Sequence, residues 1–333
     1  MINVGVCPQP PQHVIGPLGT VRSKIPANTS VPLATIVHGV TVVGPAVLLI
    51  VVGLAVVLGL AALGAARAAV WQTTLRSAWV WALAAWIAWG ICAGLRSYWG
   101  DHAPAWLSPC EVGAVALSLC PAVSVLGAKR PQHRAWNFVV ASLWGVLVLS
   151  SVEFVLLRPG QRLVLGDARG IFLLLLVLVG AVNYIPTRFG LAAVLLAAGQ
   201  ILALAPHGPL RGFSLEAYGS VAGLVLAGAA FGVAWGMTRR RRAAGPLDRV
   251  WQDFRDAYGL FWGLRVMERV NATARQLGWN VELRWSGFVD PQSGQPLGQL
   301  SPAQQEALRQ ALRGLLRRFV SHAFLAQRLE GRV

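Results

Sequence analysis

The chain is short of charge. Of its 333 residues only 13% are Asp, Glu, Lys or Arg, about half the share of an ordinary soluble domain, while 55% are hydrophobic. A surface wetted on all sides is thereby excluded. Lysine is nearly missing: Lys24 and Lys129 stand alone among 29 basic residues, a bias that suggests a GC-rich bacterial genome. The four cysteines (Cys7, Cys92, Cys110, Cys120) form no CxxC and no Cys/His ligand spacing, so no zinc site, redox motif or other metal centre is expected. The first 30 residues contain no apolar h-region; no cleavable signal peptide is expected, and the first span serves as the insertion signal.

Catalytic signatures are missing as well. HExxH, paired aspartates within spans, GxSG and a phosphate-binding loop do not occur, and Gly212-Phe213-Ser214-Leu215 lacks the second glycine. Ser97-Tyr98-Trp99-Gly100-Asp101-His102 does not reproduce the tryptophan-rich signature of cytochrome c assembly proteins. No cofactor is expected, and an enzyme is disfavoured.

What is present is a series of apolar runs. They predict an all-α polytopic membrane bundle of about seven transmembrane helices, carrying a small C-terminal cytoplasmic α-β-α domain. Residues 1–32 read as an external flexible tail and 33–238 as the bundle, with spans at about 36–66, 77–95, 105–127, 135–157, 171–185, 189–205 and 217–237. Pro109 and Pro121 make the third span a candidate broken or kinked helix. The segments 171–185 and 189–205 are short; two spans are favoured over a re-entrant hairpin or a single span, because a hairpin would turn with Arg188 at membrane depth. Trp86 and Trp89 share a helical face and are expected to pack on a neighbouring helix.

Thr238 and the four arginines Arg239, Arg240, Arg241 and Arg242 set the topology. Positive charge beside a span stays in the cytoplasm, so 239–245 is a basic cytoplasmic linker and seven spans put the N-terminus outside. Cytoplasmic loops then hold ten basic residues, Lys129, Arg130 and Arg134 among them, against seven outside. These residues are read as topology signals and as contacts to anionic lipid headgroups rather than to nucleic acid. In the last span Gly219, Gly223, Gly228, Gly232 and Gly236 fall at GxxxG spacing, read as helix packing within the chain ahead of homo-oligomerisation.

Ionisable groups inside spans are costly and therefore suspect. Glu111 and Glu153 fall near the outer ends of spans three and four; with His102 and Gln200 they form a candidate polar site, for which pairing of the glutamates with arginines such as Arg96 and Arg158 is the plainer reading. Arg96, Asp101, His207 and His38 are expected at or near the same level. On the inner side Asn183, Tyr184, Arg188 and the Lys129 to Arg134 loop form a second polar cluster, read as anchoring.

Residues 246–333 change register. Leu247, Val250, Trp251, Phe254, Tyr258, Phe261 and Leu264 predict an amphipathic helix over 246–277; Val281, Leu283 and Trp285 alternate as a strand, expected to pair with a short return near 296–300 or with another chain. Ser301-Pro302-Ala303-Gln304 starts a helix running to about 327, with Arg309, Arg313 and Arg317 as a solvated stripe. The expected function is a non-enzymatic scaffold or sensor-like component of the bacterial inner membrane with a cytoplasmic docking domain, its partners the bilayer and a protein or a second copy. The alternatives are a small-solute transporter using Glu111 and Glu153 and, third, an intramembrane enzyme or haem-handling protein.

Overall fold

The computed structural model describes residues 44–157, 160–161, 163–208, 218–239, 245–296 and 301–329, the side chains of residues 133, 150 and 327–329 excepted. Seven helices among them are long and apolar enough to cross a membrane: α1 (Pro45–Trp71), α2 (Arg76–Trp99), α3 (Leu107–Leu126), α4 (His133–Leu157), α5 (Asp167–Tyr184), α6 (Gly190–Leu204) and α7 (Gly219–Arg239). They point to a membrane protein. Large apolar side chains such as Ile50, Leu54, Phe138, Leu156 and Leu178 are exposed around the bundle, the reverse of a water-soluble surface.

α1 starts at Pro45, where proline's missing N–H costs nothing, and runs to Trp71, past the predicted end at 66. The predicted tail, and Arg240, Arg241 and Arg242, lie outside the described residues. Arg239 closes α7 with its guanidinium 4.5 Å from the Trp235 ring centre. α3 is the most buried of the seven and packs against α2, α4, α5 and α6. It is one continuous helix with Pro121 inside it and Pro109 in its first turn, so the predicted break is absent: Pro109 removes a donor the helix start leaves unpaired anyway.

The glycines of α7 divide between two neighbours. A methyl on Gly223 would stand 2.5 Å from Gly199 O, and one on Gly219 2.8 Å from Leu202 O, whereas Gly228 and Gly232 face Ala55 and Leu58 of α1. α7 therefore leans on α6 at one end and on α1 at the other, and only Gly236 meets open space. Trp86 packs under Gly59 of α1 and edge-on to Phe231, with Trp89 against Gly223.

The C-terminal segment comprises α8 (Pro246–Gln276), a two-residue hairpin β1 (Glu282–Leu283) and β2 (Phe288–Val289), α9 (Pro302–Leu316) and α10 (His322–Leu329). It clusters with the seven helices in one compact unit, residues 43–333. Three local features differ from the sequence reading. α8 is interrupted at Gly259, whose φ of 78° and ψ of −166° are not helical. The kink turns the buried face: Val250, Trp251, Phe254 and Tyr258 are buried before it and Val266, Val270 and Ala274 after it, leaving Phe261 and Leu264 exposed. The strand pairs with 288–289 through a tight turn in which Arg284 and Gly287 exchange backbone hydrogen bonds, and Val289 then bridges to Pro296. The single helix predicted to 327 is two, because Phe319, Val320 and Ser321 leave the helix to pair with backbone at Gln72, Thr73 and Thr74. The start of α9 is the predicted capping box of Ser301 and Gln304.

Candidate functional site

Polar groups gather at both ends of the bundle. The end holding the C-terminal segment is called proximal; the other, roughly 30 Å along α2 at 1.5 Å per residue, is distal.

At the distal end Glu111, only 2% exposed, projects from the second turn of α3. Arg96, near the end of α2, meets it in a two-pronged pair, Nε to Oε1 at 3.0 Å and Nη2 to Oε2 at 2.6 Å. His207, in the turn Ala205–His207 after α6, places Nε2 3.9 Å from Glu111 Oε2 and Nδ1 3.3 Å from Ser108 Oγ. Its carbonyl accepts from Leu165 N at 2.7 Å. A buried carboxylate requires a full opposing charge and donors to its oxygens, and Arg96 of α2 supplies both here.

Of the four predicted site residues only Glu111 enters this cluster. Glu153 is exposed on α4 and His102 is exposed in the turn Gly100–His102. The predicted vestibule is therefore replaced by the plainer pairing with Arg96, and His207 is the histidine that joins. Ser108, His207 and Glu111 have the side chains of a hydrolytic triad, and all three are buried. Among the described residues no three His, Cys, Asp or Glu side chains form a metal-binding group.

At the proximal end the second polar cluster meets the C-terminal segment. Asn183 accepts from Phe261 N at 3.1 Å and Tyr184 donates to Ala257 O at 3.2 Å, on either side of Gly259. A side chain at Gly259 would run into Asn183, so the kink and the close approach require the same glycine. Asp256, 1% exposed, sits between Arg188 (Nε to Oδ2, 3.2 Å) and Arg255 (Nη2 to Oδ1, 2.8 Å). Indoles tie the layers: Trp262 donates to Val125 O at 2.8 Å and Trp285 to Pro186 O at 2.7 Å. Tyr258 donates to Phe319 O at 2.8 Å and meets Thr74 Oγ1 at 3.1 Å; burial pushes its phenol up to about 12. Arg130 contributes its backbone N–H, to Arg318 O at 2.9 Å, while its side chain and that of Arg134 are exposed. Thr74, Asp256 and Gly259 carry much of this junction, and no sequence signal marked them.

Gln200 lies elsewhere, on a cavity of about 350 Å³ bounded by α2, α3, α5, α6 and α7. Its Nε2 donates to Ser118 Oγ at 3.0 Å and Ser118 O at 3.3 Å.

No protein family, curated protein or solved structure matches the chain.

Proposed function

We propose that the protein is a non-enzymatic scaffold or sensor-like component of a bacterial inner membrane, with its C-terminal segment on the cytoplasmic face. The observation that carries this reading is the continuous core at the proximal end. Leu75, Ala78 and Val125 of the spans pack in one cluster with Trp251, Tyr258, Leu312 and Phe319 of the C-terminal segment. Rigid attachment of that kind transmits a displacement of α2, α3 or α5 to the surface of α8 and α9, which is what a sensor or a partner-docking platform requires. The basic residues Lys129, Arg130, Arg134, Arg188 and Arg239 all belong to proximal loops and helix ends, supporting a cytoplasmic assignment for that end.

The transporter reading draws less support. Its carboxylates would have to line a polar path, yet Glu111 is locked to Arg96 and the membrane cavity is walled by apolar side chains. The test is accessibility of single cysteines at Gln132, Gly166 and Gln292 in a cysteine-free background, probed in intact cells with an impermeant thiol reagent. Labelling at Gly166 alone agrees with the proposal. Labelling at Gln132 or Gln292 would place the C-terminal segment outside and remove it.

A further inference from the structure

The cavity of about 350 Å³ between α2, α3, α5, α6 and α7 is more than twice the roughly 150 Å³ of a void that holds benzene in a designed apolar core, and it lies within the range of small-molecule pockets. Its walls are nearly without polar atoms. The indoles of Trp79, Trp86 and Trp89 line it, but each N–H is engaged outside the cavity, with Leu63 O, Val56 O and Ser220 O at 2.8, 3.0 and 3.2 Å. The indole N–H groups are therefore not free for an occupant. Alanines supply much of the remaining lining, so the space persists because the side chains around it are short.

One polar group in this lining has an unused valence. Gln200 is 5% exposed, and its carboxamide orientation is fixed chemically: the group facing Ser118 O must be the NH₂, since a carbonyl only accepts. Ser118 Oγ donates to Val115 O at 2.6 Å, so it too accepts from Gln200 Nε2. That leaves Gln200 Oε1 as an acceptor with no hydrogen-bond donor among the described residues, on the wall of an apolar cavity. A buried acceptor without a partner costs about 1–3 kcal/mol. A water is a poor remedy, because an ordered water needs two to four polar partners. Ser118, also in the lining, is already engaged with Val115 O and Gln200 Nε2, and Tyr184, the third polar side chain there, lies on the order of 15 Å away along the bundle, about ten residues at 1.5 Å each.

We propose that this cavity binds a lipophilic alcohol, an apolar chain whose single hydroxyl donates to Gln200 Oε1 while about a dozen carbons fill the space lined by tryptophan and alanine. The match is one acceptor to one donor, in surroundings that reward apolar contact and offer nothing to a second polar group. A charged headgroup is excluded by the same lining. The site stands apart from the proposed scaffold role: it needs neither the cytoplasmic orientation nor the docked C-terminal segment. Its proximal wall includes Tyr184, which donates to Ala257 O, so an occupant would also touch the junction.

The experiment uses the full chain in phosphatidylcholine nanodiscs and two photoreactive probes, diazirine-bearing dodecanol and its methyl ether. The ether keeps the apolar body and cannot donate. On the native chain the alcohol is expected to label α2 and α6 peptides about tenfold more than the ether, the factor for loss of one buried hydrogen bond. Gln200→Leu should bring the alcohol down to the level of the ether, and Ala197→Phe, which fills the space, should abolish labelling by both. Excess dodecanol or farnesol should compete, the stronger of the two telling straight from branched chains. Equal labelling by alcohol and ether on the native chain overturns the proposal without any variant. So does labelling confined to α1 and α4, or failure of both competitors. The cysteine map of orientation is a separate readout, so the binding site and the scaffold reading can fail independently.

Discussion

Replacing Arg96 by Met gives the sharpest test of the distal clasp. Glu111 is buried and receives two charge-assisted hydrogen bonds from Arg96, at 3.0 and 2.6 Å; His207, at 3.9 Å, is too far for a good bond. Removing one partner of such a pair strands the other charge and costs roughly 3–5 kcal/mol. In a chain of this size that is a fall of about 10 °C in the apparent unfolding midpoint, at roughly 2–4 °C per kcal/mol. The double variant Arg96→Met with Glu111→Leu removes both charges and leaves apolar side chains of similar bulk in an apolar setting. It is expected to recover most of the loss, since buried pairs replaced by apolar groups are often neutral or better. Thermal unfolding of the four proteins of this cycle, followed by tryptophan fluorescence in one detergent, measures the coupling. A single variant within about 1 kcal/mol of the parent, or a double variant no better than the worse single, would refute the claim that the clasp is an electrostatically closed unit.

The other expectations follow the same geometry. Gly259→Ala should destabilise the junction by about 2 kcal/mol or more, because its φ of 78° disfavours a side chain and Asn183 fills the space; faster proteolysis of residues 246–329 is the readout. Gly223→Ala should be strongly destabilising through contact with Gly199 O, whereas Gly236→Ala, in open space, should be neutral or stabilising by about 0.5–1 kcal/mol; unfolding midpoints compare them. Alkaline pH should loosen the junction. The Tyr258 phenol is raised from 10.0 to about 12 in the folded chain, so its stabilisation is complete below pH 10 and is lost as pH rises towards 12. Tyr258→Phe should lose about 1–2 kcal/mol at neutral pH and flatten that dependence, measured by near-ultraviolet circular dichroism.

The seven spans were legible because apolar runs of membrane length have few other uses. Their partners were less so. The α7 glycines announced close packing, but their division between α6 and α1 depends on crossing angles that no local pattern encodes. The pairing of Glu111 with Arg96 was legible from their positions at one end of adjacent spans, while Glu153 and His102 were grouped with Glu111 by depth alone, and depth leaves azimuth free. The helix periodicity from Leu247 to Leu264 continues unbroken through Gly259, so the residues after the kink, Phe261 and Leu264, were assigned to a buried face that they do not occupy. A lone glycine in a helical pattern is usually tolerated. Here it is the point where α8 meets Asn183.

Tryptophan explains how a bundle with so few charges acquires specific joints. The indoles of Trp79, Trp86, Trp89, Trp136, Trp144, Trp251, Trp262 and Trp285 all donate to backbone carbonyl oxygens. A helical carbonyl already bound to its own N–H keeps a second lone pair, and in hydrocarbon no water competes for it. Leucine at these positions would pack as well against lipid as against protein, because lipid tails are equally apolar. An indole distinguishes the two, since only the neighbouring protein segment offers an acceptor. That asymmetry accounts for tryptophans in the middle of α2, where an interfacial role is excluded by depth. The same donor reaches from α8 to Val125 and from the β1–β2 turn to Pro186, so one chemical device joins span to span and spans to the C-terminal segment.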